Sequence, residues 1–399
     1  MVHMPVSGVE MAWWPLVLIG FCVGVIGGYF GIGGAFMVTP SLNIFGFPMA
    51  YAVGTDQAHL AGKSIVATFR HWRFGHVSYV IAFTFIIGTF AGVEVGAQII
   101  MWLTKKGIAG PVVRWIYIVL LFGLAAWMFY DYFSSLARAK KTGKELTDKV
   151  GTALSDWVQN KLNVPPMVYC GIAKIRVSAW AVVFIACLTG LVAGVLGVGG
   201  GFFRVPCMVY VLGMPTKIAV GTDLFEIVMS GAYGGLSYGM KGAVEIMGAT
   251  LMLCGAAIGA QIGTLTTKYV YGFFIRLMLA ITVFLSGTSV AIKQIGWFYE
   301  RTYSTTVSAF LKQAGMKSQE ITNLLQSKDK AYHYIVEVMN RPDLYAAYST
   351  NYILTQISQF IMLGSAIGLA CFLMYLCFRG MARERQSRLM EAKAKEVKV

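Results

Sequence analysis

The chain has 399 residues, 57% of them hydrophobic and only 13% charged, against roughly 25% charged in an average soluble domain. Five apolar stretches (residues 77–104, 111–132, 177–197, 271–292 and 352–378) each match the length needed to cross a bilayer core, about 20 helical residues, which excludes a soluble protein. Much of the excess in the net charge of +15 falls in residues 138–176 and 379–398, flanking hydrophobic helices as cytoplasmic loops do, so nucleic acid is not an expected partner.

In chain order, the N-terminus has no basic n-region and no clear cleavage site, and it is expected to be retained. A first transmembrane half, residues 1–133, holds an interrupted segment at 14–47, a second at 50–69, then 77–104 and 111–132. Residues 134–176 form a lysine-rich linker. Leu146, Val150, Leu154, Trp157 and Val158 share one helical face there, which suits a helix on the cytoplasmic membrane surface or a plain solvated connection. A second half, residues 177–293, repeats the order as 177–212, 216–238, 243–266 and 271–292. Residues 294–350 are balanced in charge, with short amphipathic stretches at 321–325 and 332–336, and predict a small helical insert outside the cytoplasm. A final span at 351–378 leads to a basic tail, 379–399. The seven cysteines are scattered without a CxxC pair, so neither a disulfide framework nor a metal cluster is predicted, and no cofactor.

The two halves say the same thing. GIGGAFMVTPSLNIFGFPMAYAVGTD, ending at Asp56, matches GVGGGFFRVPCMVYVLGMPTKIAVGTD, ending at Asp223, at twelve positions with one residue inserted before Gly213. An offset of 166 or 167 residues is a duplicated half-protein rather than a solenoid repeat. Gly92, Gly96, Ala97 and Gln98 further align with Gly255, Gly259, Ala260 and Gln261. Small residues four apart let helices approach closely in lipid, so these glycines serve packing or substrate equally well.

Topology turns on the glycine segment. If each interrupted segment crosses once, the halves are parallel and the basic linker and basic tail lie on opposite sides. If each turns back at GIGG or GVGG as two short helices, the halves are inverted and both basic segments lie inside. The expected fold is therefore an all-α polytopic membrane protein of two pseudo-symmetric, inverted repeats with glycine-broken helices, plus one further span.

An opened helix in a membrane must be buried in protein or line a watery cavity. Gly33, Gly34, Gly199 and Gly200 would let a ligand approach backbone amides, and helices starting just after them would aim N–H groups at an anion. Thr55, Asp56, Thr222 and Asp223 form matched Thr-Asp pairs. The aspartates suit proton carriers, acceptors for the glycine loop, or caps of the helix that follows; the threonines suit donors to a ligand oxygen. His59 and Lys63 follow Asp56 on one face. Arg204, whose counterpart is Val38, suits a bidentate oxyanion or a neutralising contact with Asp223 or Glu226. Gln98 and Gln261 would complete the site or cross-link helices, and Glu94 would relay protons or pair with Lys63.

At these residues the chain resembles the sulfite exporter TauE/SafE family of permeases, through the paired pattern G-x-G-G-x-F…P…G-x-P…A-V-G-T and the following G-A-Q segments. The resemblance implies a secondary transporter of small sulfur-containing or organic anions in the cytoplasmic membrane, built from two four-span halves meeting at the glycine motifs. Aspartate after the G-T, where many members have serine, the linker, the insert and the final span depart from the simplest family pattern. The expected partners are a small anion and the bilayer, with a homo-oligomer left open. Proton or ion coupling would fall to Asp56, Asp223, Glu94 and His59. The competing readings are a cation or metal permease using Asp56 and Asp223, and a membrane-anchored sensor using the 294–350 insert. An enzyme is not expected: no nucleophile–base constellation is present, and GIGG and GVGG lack the lysine of a phosphate loop.

Overall fold

Glycine decides where the helices break. In this computed structural model, which describes residues 2–31, 33–142, 164–197, 199–270, 272–313 and 342–396, Gly31, Gly33 and Gly34 have φ of 73°, 68° and 67°. Gly197, Gly199 and Gly200 repeat this with 77°, 62° and 75°. A side chain strains these left-handed angles, so each GxGG ends one helix and starts another. In the first half α1 (Trp13–Phe30) stops at Gly31 and α2 (Ala35–Ile44) begins after Gly34. In the second, α6 (Ala179–Leu196) stops at Gly197, and α7 (Gly201–Pro206) begins after Gly200 and widens into a π-helical turn, Cys207–Val211.

Pro48 and Pro215 then introduce the matched helices α3 (Met49–Arg73) and α8 (Thr216–Met240). The remaining helices are α4 (Tyr79–Lys105), α5 (Ala109–Thr142), α9 (Ile246–Tyr269), α10 (Gly272–Gln313) and α11 (Pro342–Glu396). Among the described residues, seven helices (α1, α4, α5, α6, α9, α10 and α11) are long and apolar enough to cross a membrane. α3 and α8 are not among them because they carry the buried charges described below.

Small residues set the packing. Gly20, Gly24 and Gly28 of α1 lie against the backbone of Met252, Ala256 and Ala260, so a Cβ at any of them would sit 2.0–2.6 Å from a carbonyl oxygen. Both series advance by four, so α1 and α9 run parallel. Gly88, Gly92 and Gly96 of α4 meet Val183, Cys187 and Leu191 of α6 in the same parallel sense. Each half thus lends its fourth-position helix to the other half's broken helix. Between these pairs α3 and α8 cross antiparallel, with Gly54 against Tyr238 and Ala243, and Gly231 against Ala61. α10 runs antiparallel to α5, through Arg276–Asp131 and Arg114–Gln294, and to α11, through Ser289–Ser358 and Lys293–Thr355.

Two short antiparallel hairpins precede the broken helices: β1 (Val2–His3) with β2 (Glu10–Met11), and β3 (Met167–Cys170) with β4 (Ile175–Ser178). The sequence analysis does not foresee them. The surface helix expected around residues 146–158, and the stretches at 321–325 and 332–336, lie outside the described residues. On the flanks of the expected insert, α10 continues unbroken to Gln313 and α11 begins at Pro342.

Candidate functional site

The two glycine turns meet. A Cβ on Gly33 would touch Leu60 at 2.5 Å and Ile227 at 3.4 Å, and one on Gly199 would touch the same two side chains at 2.8 and 3.7 Å. Leu60 and Ile227 are themselves repeat counterparts, so an apolar pair sits where the halves join, with a polar cluster belonging to each half beside it.

The threonines anchor the frame. Thr55 Oγ1 accepts the backbone N–H of Glu245 at 2.9 Å, and Thr222 Oγ1 accepts that of Ser78 at 2.9 Å. Glu245 and Ser78 are the N-cap residues of α9 and α4, so each threonine ties its helix to the start of a helix in the opposite half. The aspartates are not caps. The helices begin earlier, after Pro48 and Pro215, which leaves Asp56 and Asp223 two turns inside α3 and α8 and fully buried.

In the second half, Arg204 is completely buried and lies on both Asp223 and Glu226, as the neutralising alternative has it. It also donates to the Gly199 carbonyl at 2.7 Å and to Thr89 at 3.5 Å. Ser230 donates to Glu226 at 3.1 Å. Each carboxylate keeps one buried oxygen (Asp223 Oδ2 and Glu226 Oε1) without a protein partner, so the cluster holds one cation against two acids.

In the first half the cluster holds one acid, Asp56, with His59 and Lys63. Thr39 donates to Asp56 at 2.9 Å, and His59 Nδ1 lies 3.5 Å from the other Asp56 oxygen. One turn beyond His59, Lys63 is 2% exposed and its Nζ has no hydrogen-bond partner, nor does the adjacent Ser64 hydroxyl. The narrow gap beside them is walled by Gly27, Gly28 and Gly33, with Leu224 from the opposite half. A buried ammonium without a hydrogen-bond partner is costly, and the gap beside it is closed to water in this conformation, so it must open to admit an anion.

The carbonyls at the end of α6 are covered by long-range donors: Gln57 to Ala193 at 3.0 Å, Tyr238 to Gly194 at 2.5 Å and Tyr117 to Leu196 at 2.7 Å. His71, the repeat counterpart of Tyr238, lies 3.5 Å from the matching carbonyl of Gly28 on α1. Sequence reasoning did not single out Thr39, Gln57, His71, Tyr117 or Tyr238, and Glu226 entered only as a partner for Arg204. Their placement depends on contacts across the halves.

Glu94, Gln98 and Gln261 stand apart from the clusters. Glu94 is 31% exposed and binds Lys241 at 3.0 Å and Ser237 at 2.6 Å, so the suggested pairing with Lys63 is corrected. Gln98 donates to Glu94 at 3.2 Å, and Gln261 accepts from Arg70 at 3.4 Å, both exposed on the outer flank. Gly92 and Gly96 pack against α6, and Gly255 and Gly259 against α1.

Two glycine-broken helix pairs meeting around buried ionic clusters define a polytopic helical membrane transporter. The family model described as Sulfite exporter TauE/SafE matches residues 16–290. The chain therefore belongs to the sulfite exporter TauE/SafE family of integral, multi-pass membrane transporters. It is similar to the Probable membrane transporter protein YunE of Bacillus subtilis, 23% identical over 288 residues, which cover 70% of this chain and 97% of the relative. It also resembles a Probable membrane transporter protein of Xylella fastidiosa, 28% identical over 258 residues, covering 62% and 80%. The Probable membrane transporter protein YdhB of Bacillus subtilis is 24% identical over 275 residues, covering 68% and 97%.

Proposed function

We propose that the chain is a secondary permease of the cytoplasmic membrane for a small anion of the sulfite or sulfonate class. The observation that carries this is Lys63, an ammonium fully inside the protein with no hydrogen-bond partner, lining a gap with Ser64 and the backbone of Gly27, Gly28 and Gly33. A sulfur oxyanion offers this gap a negative charge and several acceptor oxygens. Arg204 is occupied by two carboxylates, so it acts as structural counter-charge and the anion belongs to the Lys63 side. Asp56, His59, Asp223 and Glu226 are the coupling groups: each has a buried ring nitrogen or carboxylate oxygen without a hydrogen-bond partner, placed to exchange a proton as the site changes occupancy. The halves act as inverted repeats. The antiparallel crossing of α3 and α8 supports this, and rocking about the Leu60–Ile227 contact exposes the site to either side in turn.

Calorimetric titration of the purified chain against sulfite, sulfate, thiosulfate, sulfoacetate and simple carboxylates tests the reading. Selective binding of a sulfur oxyanion that Lys63→Met abolishes is expected. Binding unaffected by Lys63→Met moves the anion elsewhere, and no response to any anion overturns the proposal.

A further inference from the structure

At the ends of α3 and α8, repeat counterparts make the same contact with different chemistry. Tyr238 of α8 donates its hydroxyl to the Gly194 carbonyl of α6, and His71 of α3 places Nε2 3.5 Å from the matching Gly28 carbonyl of α1. Five residues on, the second half has Ala243, while the first has His76, whose Nδ1 lies 3.4 Å from Nδ1 of His71.

These contacts fix the tautomers. A carbonyl only accepts, so His71 donates from Nε2 to Gly28 and accepts at Nδ1, which leaves His76 donating from Nδ1. The two rings form a single file of nitrogens. It runs from the α3–α4 turn, where His76 is half-buried, to Gly28, which walls the Lys63 gap. That turn lies on the face that carries the basic tail. Beyond His71 the polar groups continue along α3. Thr68 and Ser64, spaced three and then four residues back, neighbour one another on the helix, and their buried hydroxyls have no hydrogen-bond partner. Lys63, His59 and Asp56 follow. The gap is closed to water in this conformation, so protein groups have to carry a proton through this stretch. The charge whose field reaches both rings is Lys217, at the start of α8. The neighbouring arginines of α3 are engaged elsewhere, Arg70 with Gln261 and Arg73 over Phe69. Burial and then Lys217 hold His76 below the ordinary histidine range, so it rests neutral and takes a charge only in transit.

We infer that His76 and His71 are relay residues, carrying the coupling proton between that face and the groups beside the Lys63 gap; this rests on the proton-coupled permease reading. Moving inward, His76 takes a proton at Nε2 and passes its Nδ1 proton to Nδ1 of His71, which releases its Nε2 proton toward Thr68 and Ser64. One proton enters and one leaves. Both rings end in the opposite neutral tautomer, which turning the rings resets. With Tyr238 and Ala243 at these positions, the second half has no counterpart of the file, so the relay opens to one face only.

The test compares sulfite exchange with proton movement in proteoliposomes that hold a trapped pH-sensitive dye. In counterflow at equal pH, sulfite exchanges for sulfite and no net proton has to move. Net sulfite entry into empty vesicles, above that of protein-free vesicles, brings in the proton that the dye reads. His71→Tyr copies the second half and keeps a donor for Gly28, and His76→Gln changes a half-buried position outside the helices. Both variants should keep wild-type counterflow and melting midpoint, while net sulfite entry and its proton signal slow about tenfold or more. Proton entry at the wild-type rate in either variant overturns the relay. Loss of counterflow at an unchanged midpoint also overturns it, because the histidines then serve anion passage itself. If wild-type sulfite entry brings no proton, the coupling reading falls and the relay with it, while the permease reading stands. An absence of wild-type counterflow overturns the permease reading and everything resting on it.

Discussion

Arg204 and Lys63 are both fully buried cations, and what surrounds them separates their roles. Removing one member of a buried ion pair leaves uncompensated charge, so Arg204→Ala should destabilise the protein by about 3–5 kcal/mol, read as a lower unfolding midpoint in detergent. Without ligand, Lys63→Met should lower that midpoint less than Arg204→Ala does, because Lys63 Nζ makes no hydrogen bond while Arg204 holds two carboxylates. Thr55→Val strips the acceptor from the Glu245 N–H and should cost about 1–3 kcal/mol, with Thr222→Val matching it through Ser78. The buried Asp56 and Asp223 were visible in the sequence as acids within apolar runs. The asymmetry around them was not, because comparing two repeats highlights what they share. Glu226 faces the position of His59, Ser230 that of Lys63, and Arg204 that of Val38, and these unequal pairs set the charge of each cluster.

At the scale of the helix, glycine does two separate jobs. In the GxGG turns it permits left-handed backbone, and this was legible from the duplicated motif. Along α1, α4, α6 and α9 it permits contact, and here the sequence showed the four-residue spacing without the partner. That α1 packs on α9 and α4 on α6 follows from which small stripes face each other in three dimensions. Gly92→Leu should therefore separate α4 from α6 and cost about 1–3 kcal/mol or more, since its Cβ would lie 2.2 Å from the Cys187 carbonyl oxygen. Gly123→Leu on α5, with nothing within 4 Å of its Cβ, is the neutral control in the same melting assay. The two hairpins escaped the sequence reading for a plainer reason: strands of two and four residues are too short to show a period of two.

For the whole molecule, the helix directions bring the end of α5 and the end of α11 to one face, and the turn after α4 to the other. The inverted arrangement expected from the sequence is the one that would put both basic segments on the cytoplasmic side. A cysteine placed at Lys106 in a cysteine-free background should be labelled by a membrane-impermeant maleimide from outside intact cells, and one at Arg385 only after lysis; the reverse would turn the molecule over. Between those faces, the proposed route of a small sulfur oxyanion runs through the gap at Lys63. The most direct measurement is counterflow of radiolabelled sulfite into proteoliposomes preloaded with unlabelled sulfite. Wild type should accumulate label transiently, and Lys63→Met should not, at equal incorporation of folded protein. Equal counterflow in both proteins would contradict that route.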